Sequence, residues 1–436
     1  MGTKQRQEGI SRRTFIRTAV AGAAGVTLAS WGVPTLLRAQ TKPIKIGCIT
    51  PLTGPMTGYG IPTKAAMEYA CDKLNAEGGI LGRKVAPVFR DEQLSAEVAV
   101  RAAKDLVYNE ECQIIGGCIS SGDAIAVSTA VKDMRGKAFF TAYCASSSIL
   151  TEEKFHRYTS RVSINSTGWT RCVAIASAKK WGKEIKSLYC INADYAYGHS
   201  CRDAFVEYWS KHAPQAKVVG DSWPPLGSTD FTSYITAILA AKPDLVQSSL
   251  YGGDALIFVK QASAYGLLDK VKFVDQDIGI MPFLNTLRKG DPAAPIGALT
   301  ATCYPFYLFN DPENVDFYTK VYKKCGWYPD MMGYSPPIYL RFLKAAMEKA
   351  GTTTDLEKII DVFDAGLTVK TFIGDIQLRG CDHQTLVPYW VGILGWDPKG
   401  KFPMPVFTKE IVKMDNYAEL YHSCEEIKEI RSKVKS

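Results

Sequence analysis

Residues 44–60 read IKIGCITPLTGPMTGYG. Ile44 to Ile49 is a short apolar run of the kind that forms a buried strand. Three glycines and two prolines crowd the next eleven residues, and a helix-like segment, Pro62 to Asn75, follows. Strand, glycine-rich loop and helix is the order of a phosphate cradle, but the spacing is wrong. The loop is not G-x-G-x-x-G, and each of the three Gly-Lys pairs continues with Ala138, Glu184 or Phe402 rather than Ser or Thr. We therefore expect the loop to hold something other than a nucleotide.

Working outward, strand-like and helix-like segments alternate. After Ile44–Ile49 come helix Ala65–Leu74, strand Lys84–Arg90, helix Ala96–Tyr108 with Ser95 at its N-cap position, strand Gln113–Gly117, helix Ala124–Met134 and strand Ala138–Tyr143. The pattern restarts with helix Trp169–Trp181, strand Ser187–Ile191, helix Ser200–His212, strand Ala216–Asp221, helix Phe231–Ala241, strand Leu245–Leu250, helix Ala255–Tyr265 and strand Lys272–Val274. Such alternation predicts α/β architecture, with doubly wound parallel sheets covered by helices on both faces. Two runs, broken near residues 157–165, predict two lobes. An extended aromatic stretch from Thr302 to Asn310, helices Val315–Cys325 and Ile338–Lys349, and a late strand Trp390–Leu394 follow. No low-complexity linker separates the runs, so the chain must cross between lobes several times and form a multi-stranded hinge. The expected division is 42–162 plus 302–383 for the N-terminal lobe, 163–301 plus 384–410 for the C-terminal lobe, and a charged tail, 411–436.

With 436 residues and 46% apolar content, the chain can bury two sizeable cores. Its net charge is +8, but residues 1–39 hold six basic side chains and one acid, a net of +5, leaving +3 for the rest. A near-balanced body gives no reason to expect nucleic-acid binding. The charged segment contains Ser11-Arg12-Arg13-Thr14-Phe15-Ile16, then a soft apolar run from Ala19 to Ser30, Trp31-Gly32-Val33-Pro34, and Leu37-Arg38-Ala39-Gln40 with the small Ala39 at a plausible cut site. This is a twin-arginine signal peptide, with cleavage expected near Ala39 and the mature protein in the periplasm.

The twelve cysteines include no C-x-x-C pair, which removes zinc, haem and thioredoxin-type motifs. Cys48, Cys118 and Cys190 sit in or beside apolar runs and read as core residues; sequence alone assigns no disulfide partners. The five histidines show no ligand spacing, and His199 reads as structural. Neither G-x-S-x-G nor H-E-x-x-H occurs, and no metal or cofactor is expected.

In open α/β sheets ligands bind outside the carboxyl ends of the strands. The candidate loops are 50–60, 118–123, 143–148, 192–197, 251–254 and 275–277. They share small hydroxyls, tyrosines and acids. Ser120-Ser121-Gly122 opens a helix whose N–H groups attract an anion, and Asp277 could pair with an ammonium.

Together these stretches resemble the type I periplasmic solute-binding proteins, specifically the leucine/isoleucine/valine-binding family of ABC transporters. The resemblance rests on IKIGCITPLTGPMTGYG, DKLNAEGGILGRKV, IIGGCISSGDAIAV, DYAYGHS, VQSSLYGGDA and FVDQD, and on the later DHQTLVPYWVGIL. It implies a monomeric, non-enzymatic ABC importer subunit whose lobes close on a small molecule and then dock on an inner-membrane permease. It further implies a branched-chain or other hydrophobic amino acid as ligand. Its carboxylate would be held by Ser120, Ser121 and the Tyr143, Cys144 and Ser146 loop, its amine by Asp277, and its remainder by Tyr59, Tyr197 and Tyr251. The alternatives are a short amide, urea or an aromatic carboxylate in the same fold, or a sensor that presents its ligand to a membrane receptor. The disulfide of the leucine-binding relatives would place a cysteine near Gln93, so that bridge is not expected here.

Overall fold

In the computed structural model, residues 42–291 and 294–434 are described; the signal segment and its cleavage point lie outside them. The first lobe comprises β1 (Ile44–Thr50), α1 (Thr57–Ala76), β2 (Val85–Asp91), α2 (Ala96–Tyr108), β3 (Ile114–Gly117), α3 (Ser121–Asp133), β4 (Phe139–Ala142) and β5 (Thr159–Arg161). The chain then crosses to α4 (Ser166–Trp181), β6 (Ser187–Ile191), α5 (Ala196–His212), β7 (Lys217–Ser222), α6 (Thr232–Ala241), β8 (Leu245–Ser248), α7 (Gly252–Ala264), β9 (Lys272–Asp275), α8 (Met281–Leu284) and β10 (Leu299–Thr302). It returns as α9 (Pro312–Cys325), α10 (Met331–Ala350), α11 (Leu356–Asp364), β11 (Leu367–Thr371), β12 (Gly374–Leu378) and β13 (Thr385–Leu386). It crosses once more to β14 (Tyr389–Trp396) and β15 (Pro405–Met414), and ends in α12 (Tyr417–Leu420) and α13 (Cys424–Val434).

The two large sheets share one order. In the first, β2-β1-β3-β4-β5 are all parallel; in the second, β7-β6-β8-β9-β10 repeat the same arrangement. In each, the strand order reverses beside the first strand, which opens a crevice at the carboxyl ends. The second sheet is not purely parallel. Its far edge carries β14 and β15, both antiparallel to their neighbours, because β14 enters from the hinge in the opposite direction. Helices α9 and α10 pack on α1 and so belong to the first lobe.

Several helices begin earlier than the sequence suggests. α1 starts at Thr57, so Gly58-Tyr59-Gly60 form its first turn rather than a free loop. Gly60 is required there: a Cβ would sit 1.8 Å from the Pro51 carbonyl oxygen. α10 starts at Met331 and runs through Pro336 and Pro337, where proline chemistry predicts a stop. Its buried residues, among them Ile338, Tyr339, Phe342 and Leu343, outweigh two lost backbone bonds. α11, with Asp355 capping its start and one apolar face of Leu356, Ile359, Ile360 and Phe363, and the β11–β12 hairpin add to the elements expected from the sequence.

The first and last crossings are tied by one buried cation. Arg161, fully buried, donates from Nε to Gln384 Oε1 (2.6 Å) and from Nη1 to the carbonyls of Ala145 (3.1 Å) and Ser147 (2.8 Å). Gln384 in turn donates to the Ser163 carbonyl (2.7 Å). The tail lies over this junction. Arg431 donates to the carbonyls of Thr151 (2.9 Å), Glu152 (2.7 Å) and Cys381 (3.0 Å). His422 bonds both Glu152 (3.0 Å) and Arg171 (2.9 Å), and a disulfide joins Cys381 to Cys424. Nine of the other ten cysteines, Cys48, Cys118 and Cys190 among them, are buried.

The Cys381–Cys424 bridge closes a 43-residue separation, a span for which a native disulfide contributes about 2–4 kcal/mol. Denaturant melts of Cys381→Ser are expected to show that loss. Reductant should destabilise the unmodified protein equally and leave the variant unchanged.

Candidate functional site

Each of the six candidate loops sends at least one side chain to a single narrow cavity, of about 20 Å³, between the lobes. The first lobe contributes Tyr59, Ile119, Ser121, Cys144, Ser146 and, from the start of α10, Met331; the second contributes Tyr195, Tyr197, Tyr251 and Asp277. The lobes touch at its margin, where the Ser147 hydroxyl lies 3.2 Å from that of Ser200 and donates to the Ala196 carbonyl.

Two tyrosines are placed by the same device. Tyr59 precedes Gly60 in the first turn of α1, and Tyr197 precedes Gly198 in the first turn of α5. A Cβ on Gly198 would meet the Ala193 carbonyl oxygen at 2.0 Å, matching the 1.8 Å at Gly60. Each glycine lets its helix settle against the end of the preceding strand, which turns the tyrosine into the cleft. Tyr59, Tyr195 and Tyr197 surround Tyr251 with ring centroids 6.0–6.4 Å apart, Tyr59 and Tyr197 edge-to-face and Tyr195 tilted. The Tyr195 hydroxyl donates to that of Tyr251 (3.0 Å).

Among the described residues, Asp277 is the one carboxyl that lines the cavity. Trp169 Nε1–H donates to its Oδ1 (3.0 Å) and the Tyr197 hydroxyl to its Oδ2 (2.7 Å). Burial, reinforced by the neighbouring Asp275 carboxyl, raises its pKa well above the usual carboxylate range. Asp275, buried and accepting from the N–H groups of Asp277 and Ile278, is pushed up to about 7. Opposite stands the start of α3. Ser121 Oγ accepts from Ser147 N–H (3.1 Å) and keeps its own hydrogen to donate. Behind this wall Glu92, held neutral by burial with a pKa of about 8, accepts from Ile119 N–H (3.0 Å).

Seven of the nine residues singled out in the sequence line the cavity; Ser120 and Tyr143 do not. Ser120 Oγ instead caps α3, accepting from Asp123 N–H (3.4 Å), and its neighbour Ser121 takes the cleft position. Tyr143 follows directly on β4 and falls on the core side, packed against Tyr339, whereas Cys144 and Ser146 face the cavity. Tyr195, Ile119 and Met331 were missed. Tyr195 carries a signal, a second tyrosine in the 192–197 loop; Met331 carries none, because Pro336 and Pro337 mark a later start for α10 than the structure shows. His199 lies at the surface against Asp194 (2.9 Å) and Trp223. No group of three metal-ligating side chains occurs among the described residues, and no described helix is long and apolar enough to cross a membrane.

The sequence pattern of periplasmic binding proteins matches residues 43–399. The chain belongs to the periplasmic binding protein family. Among relatives, the Leu/Ile/Val-binding protein homolog 4 of Brucella abortus is 28% identical over 385 residues, spanning 84% of this chain and 87% of the relative. The same type I fold recurs in the leucine-, isoleucine-, valine-, threonine- and alanine-binding protein of Brucella ovis in its closed conformation, with a TM-score of 0.74 and 24% identity over 88% of this chain and 98% of that one. It recurs equally in a Rhodopseudomonas palustris solute-binding protein in complex with 4-hydroxybenzoate, with a TM-score of 0.75 and 22% identity over 86% and 99%.

The buried acids set a pH dependence. Glu92 (about 8), Asp275 (about 7) and Asp330 (about 7) all have folded-state values raised by burial. Between the ordinary carboxylate range and those values the folded protein holds protons that the unfolded chain has lost, so stability falls as pH rises. His156, lowered by burial to about 4, opposes this only below about pH 6.5, its unfolded value. The ligand-free melting temperature should therefore decline from about pH 6.5 to 8.5, and Glu92→Gln should flatten the slope in calorimetry.

Proposed function

We propose that this protein is the extracytoplasmic solute-binding subunit of an ABC importer and that its ligand is a small α-amino acid of the branched-chain or otherwise hydrophobic class. The observation that carries the reading is the opposition, across one cavity built by both lobes, of the Asp277 carboxyl and the hydroxyl-rich start of α3. An ammonium pairs with an acid, and a carboxylate suits a helix N-terminus with Ser121 and Ser146 beside it. Glu92, neutral at pH 7 by burial, does not repel that carboxylate. The family and the relatives named above support the same reading.

Closure is then a population shift. Contacts from Asp277 and the tyrosines on one side and Ser121 and Ser146 on the other are complete only when the lobes meet over the ligand. The closed form docks on a membrane permease, and export by the twin-arginine signal places it in the periplasm.

One observation favours a second reading. The raised pKa of Asp277 suits a neutral carboxyl, which would accept a short amide, urea or an aromatic acid instead of an ammonium.

A thermal-shift screen separates these classes: a ligand at 100 times its Kd adds about 2.7 kcal/mol to stability. Amino acids are expected to raise the melting temperature. Asp277→Asn keeps one acceptor oxygen, for the Trp169 N–H, and turns an amide N–H to the Tyr197 hydroxyl, which can accept it; it removes the charge, and isothermal titration should show amino-acid affinity at least about 30-fold weaker, a loss of about 2 kcal/mol. Unchanged affinity would remove the ammonium pairing.

A further inference from the structure

The Trp169 indole that donates to Asp277 is itself held from behind. Its ring packs on Tyr389 of β14, with centroids 5.5 Å apart. Tyr389 stacks in turn on Tyr421 of the tail, at 6.0 Å, and the two hydroxyls are hydrogen-bonded. All three side chains are buried, at 2% exposure or less. The Tyr421 hydroxyl donates its one hydrogen to the Val387 carbonyl (3.3 Å) and accepts from Val387 N–H (3.4 Å). Tyr389 is therefore the donor between the two phenols, and its ring is fixed at the hydroxyl end.

Tyr421 is fixed from the other side by the tail. The Arg379 guanidinium lies 5.8 Å from its ring centroid and donates to the carbonyl of the next residue, His422 (2.7 Å). The His422 ring bonds Glu152 and Arg171, and Cys424 is joined to Cys381. Covering the crossings does not require a pair of buried phenols between the tail and the indole. The consequence of that pair falls on Asp277. Burial and Asp275 favour its neutral form, and the Tyr197 and Trp169 donors oppose them. The ionised carboxyl is the form that pairs with an ammonium. A hydrogen bond weakens steeply as its angle closes, so an indole free to tilt would give up its share of that support.

We propose that Tyr421 is a positioning residue for ligand recognition. Through Tyr389 it holds the Trp169 indole at the angle at which its N–H meets Asp277, which makes one residue of the tail part of the binding machinery. This rests on the amino-acid reading and extends it beyond the two lobes.

The test is isothermal titration of the purified protein with leucine, valine and phenylalanine, followed by a double-mutant cycle with whichever binds tightest. Trp169→Phe removes the N–H; Tyr421→Phe removes only the hydroxyl that anchors Tyr389. Tyr421→Phe should weaken binding about fivefold and Trp169→Phe about tenfold. The double variant should bind no more weakly than Trp169→Phe alone, because both changes act through one hydrogen bond, whereas independent packing roles would multiply the two losses. Glu419→Ala breaks the tail's bond to Tyr208 and leaves Tyr421 in place. It should lower the melting temperature with affinity unchanged, which separates stability from recognition. Unchanged affinity in either single variant overturns the role of Tyr421 and leaves the amino-acid reading standing. So do losses that multiply in the double variant, or a loss in Glu419→Ala equal to that in Tyr421→Phe. Binding of none of the three amino acids by the unmodified protein overturns both.

Discussion

The guanidinium of Arg161 is the constraint on which the arrangement of the lobes turns. It is wholly buried, and burial, opposed by the nearby Glu152 and Asp382 carboxyls, lowers its pKa to about 10, so it stays charged and demands acceptors. It finds them in Gln384 on the last crossing and in the Ala145 and Ser147 carbonyls on the loop that follows β4. A charge in such a place stabilises only when every donor is matched; an unmatched one costs several kcal/mol. The hinge and the 144–147 wall of the cleft are therefore specified together, and Ser146 cannot shift without disturbing the junction of the crossings.

Much of this architecture is legible in the chain because the relevant physics is local. Alternating apolar runs and amphipathic helices predict parallel sheets, and parallel sheets place function after their strands. All six loops chosen on that ground reach the cavity. What escapes depends on side-chain parity or on tertiary burial. Ser120 and Ser121 differ by one residue, and which of them faces the cleft is decided by where α3 starts. Tyr143 and Cys144 alternate at the end of β4 in the same way. Proline at 336 and 337 marks a helix end by local rules, yet the buried face of α10 overrides them, and local rules alone therefore do not point to Met331.

The second lobe repeats the first with different chemistry. Tyr-Gly sits in the first turn of the helix that follows the first strand of each, and the glycine does the same steric work in both. One lobe then offers hydroxyls and a helix start, the other an acid held by Trp169 and Tyr197. A pair of similar folds becomes an asymmetric receptor through substitutions confined to loop residues, while the cores need change only to keep their packing.

Ten cysteines remain reduced in the fold, nine of them buried. Disulfide exchange needs a thiolate that can reach a sulfur, and burial denies both ionisation and access. Only Cys381 and Cys424 are paired. In the oxidising compartment proposed for the protein, the integrity of this single pairing is a matter of kinetics: each unfolding event releases ten nucleophiles beside one disulfide, and mispairing competes with refolding. The working lifetime of the protein is then set by its unfolding rate rather than by its equilibrium stability.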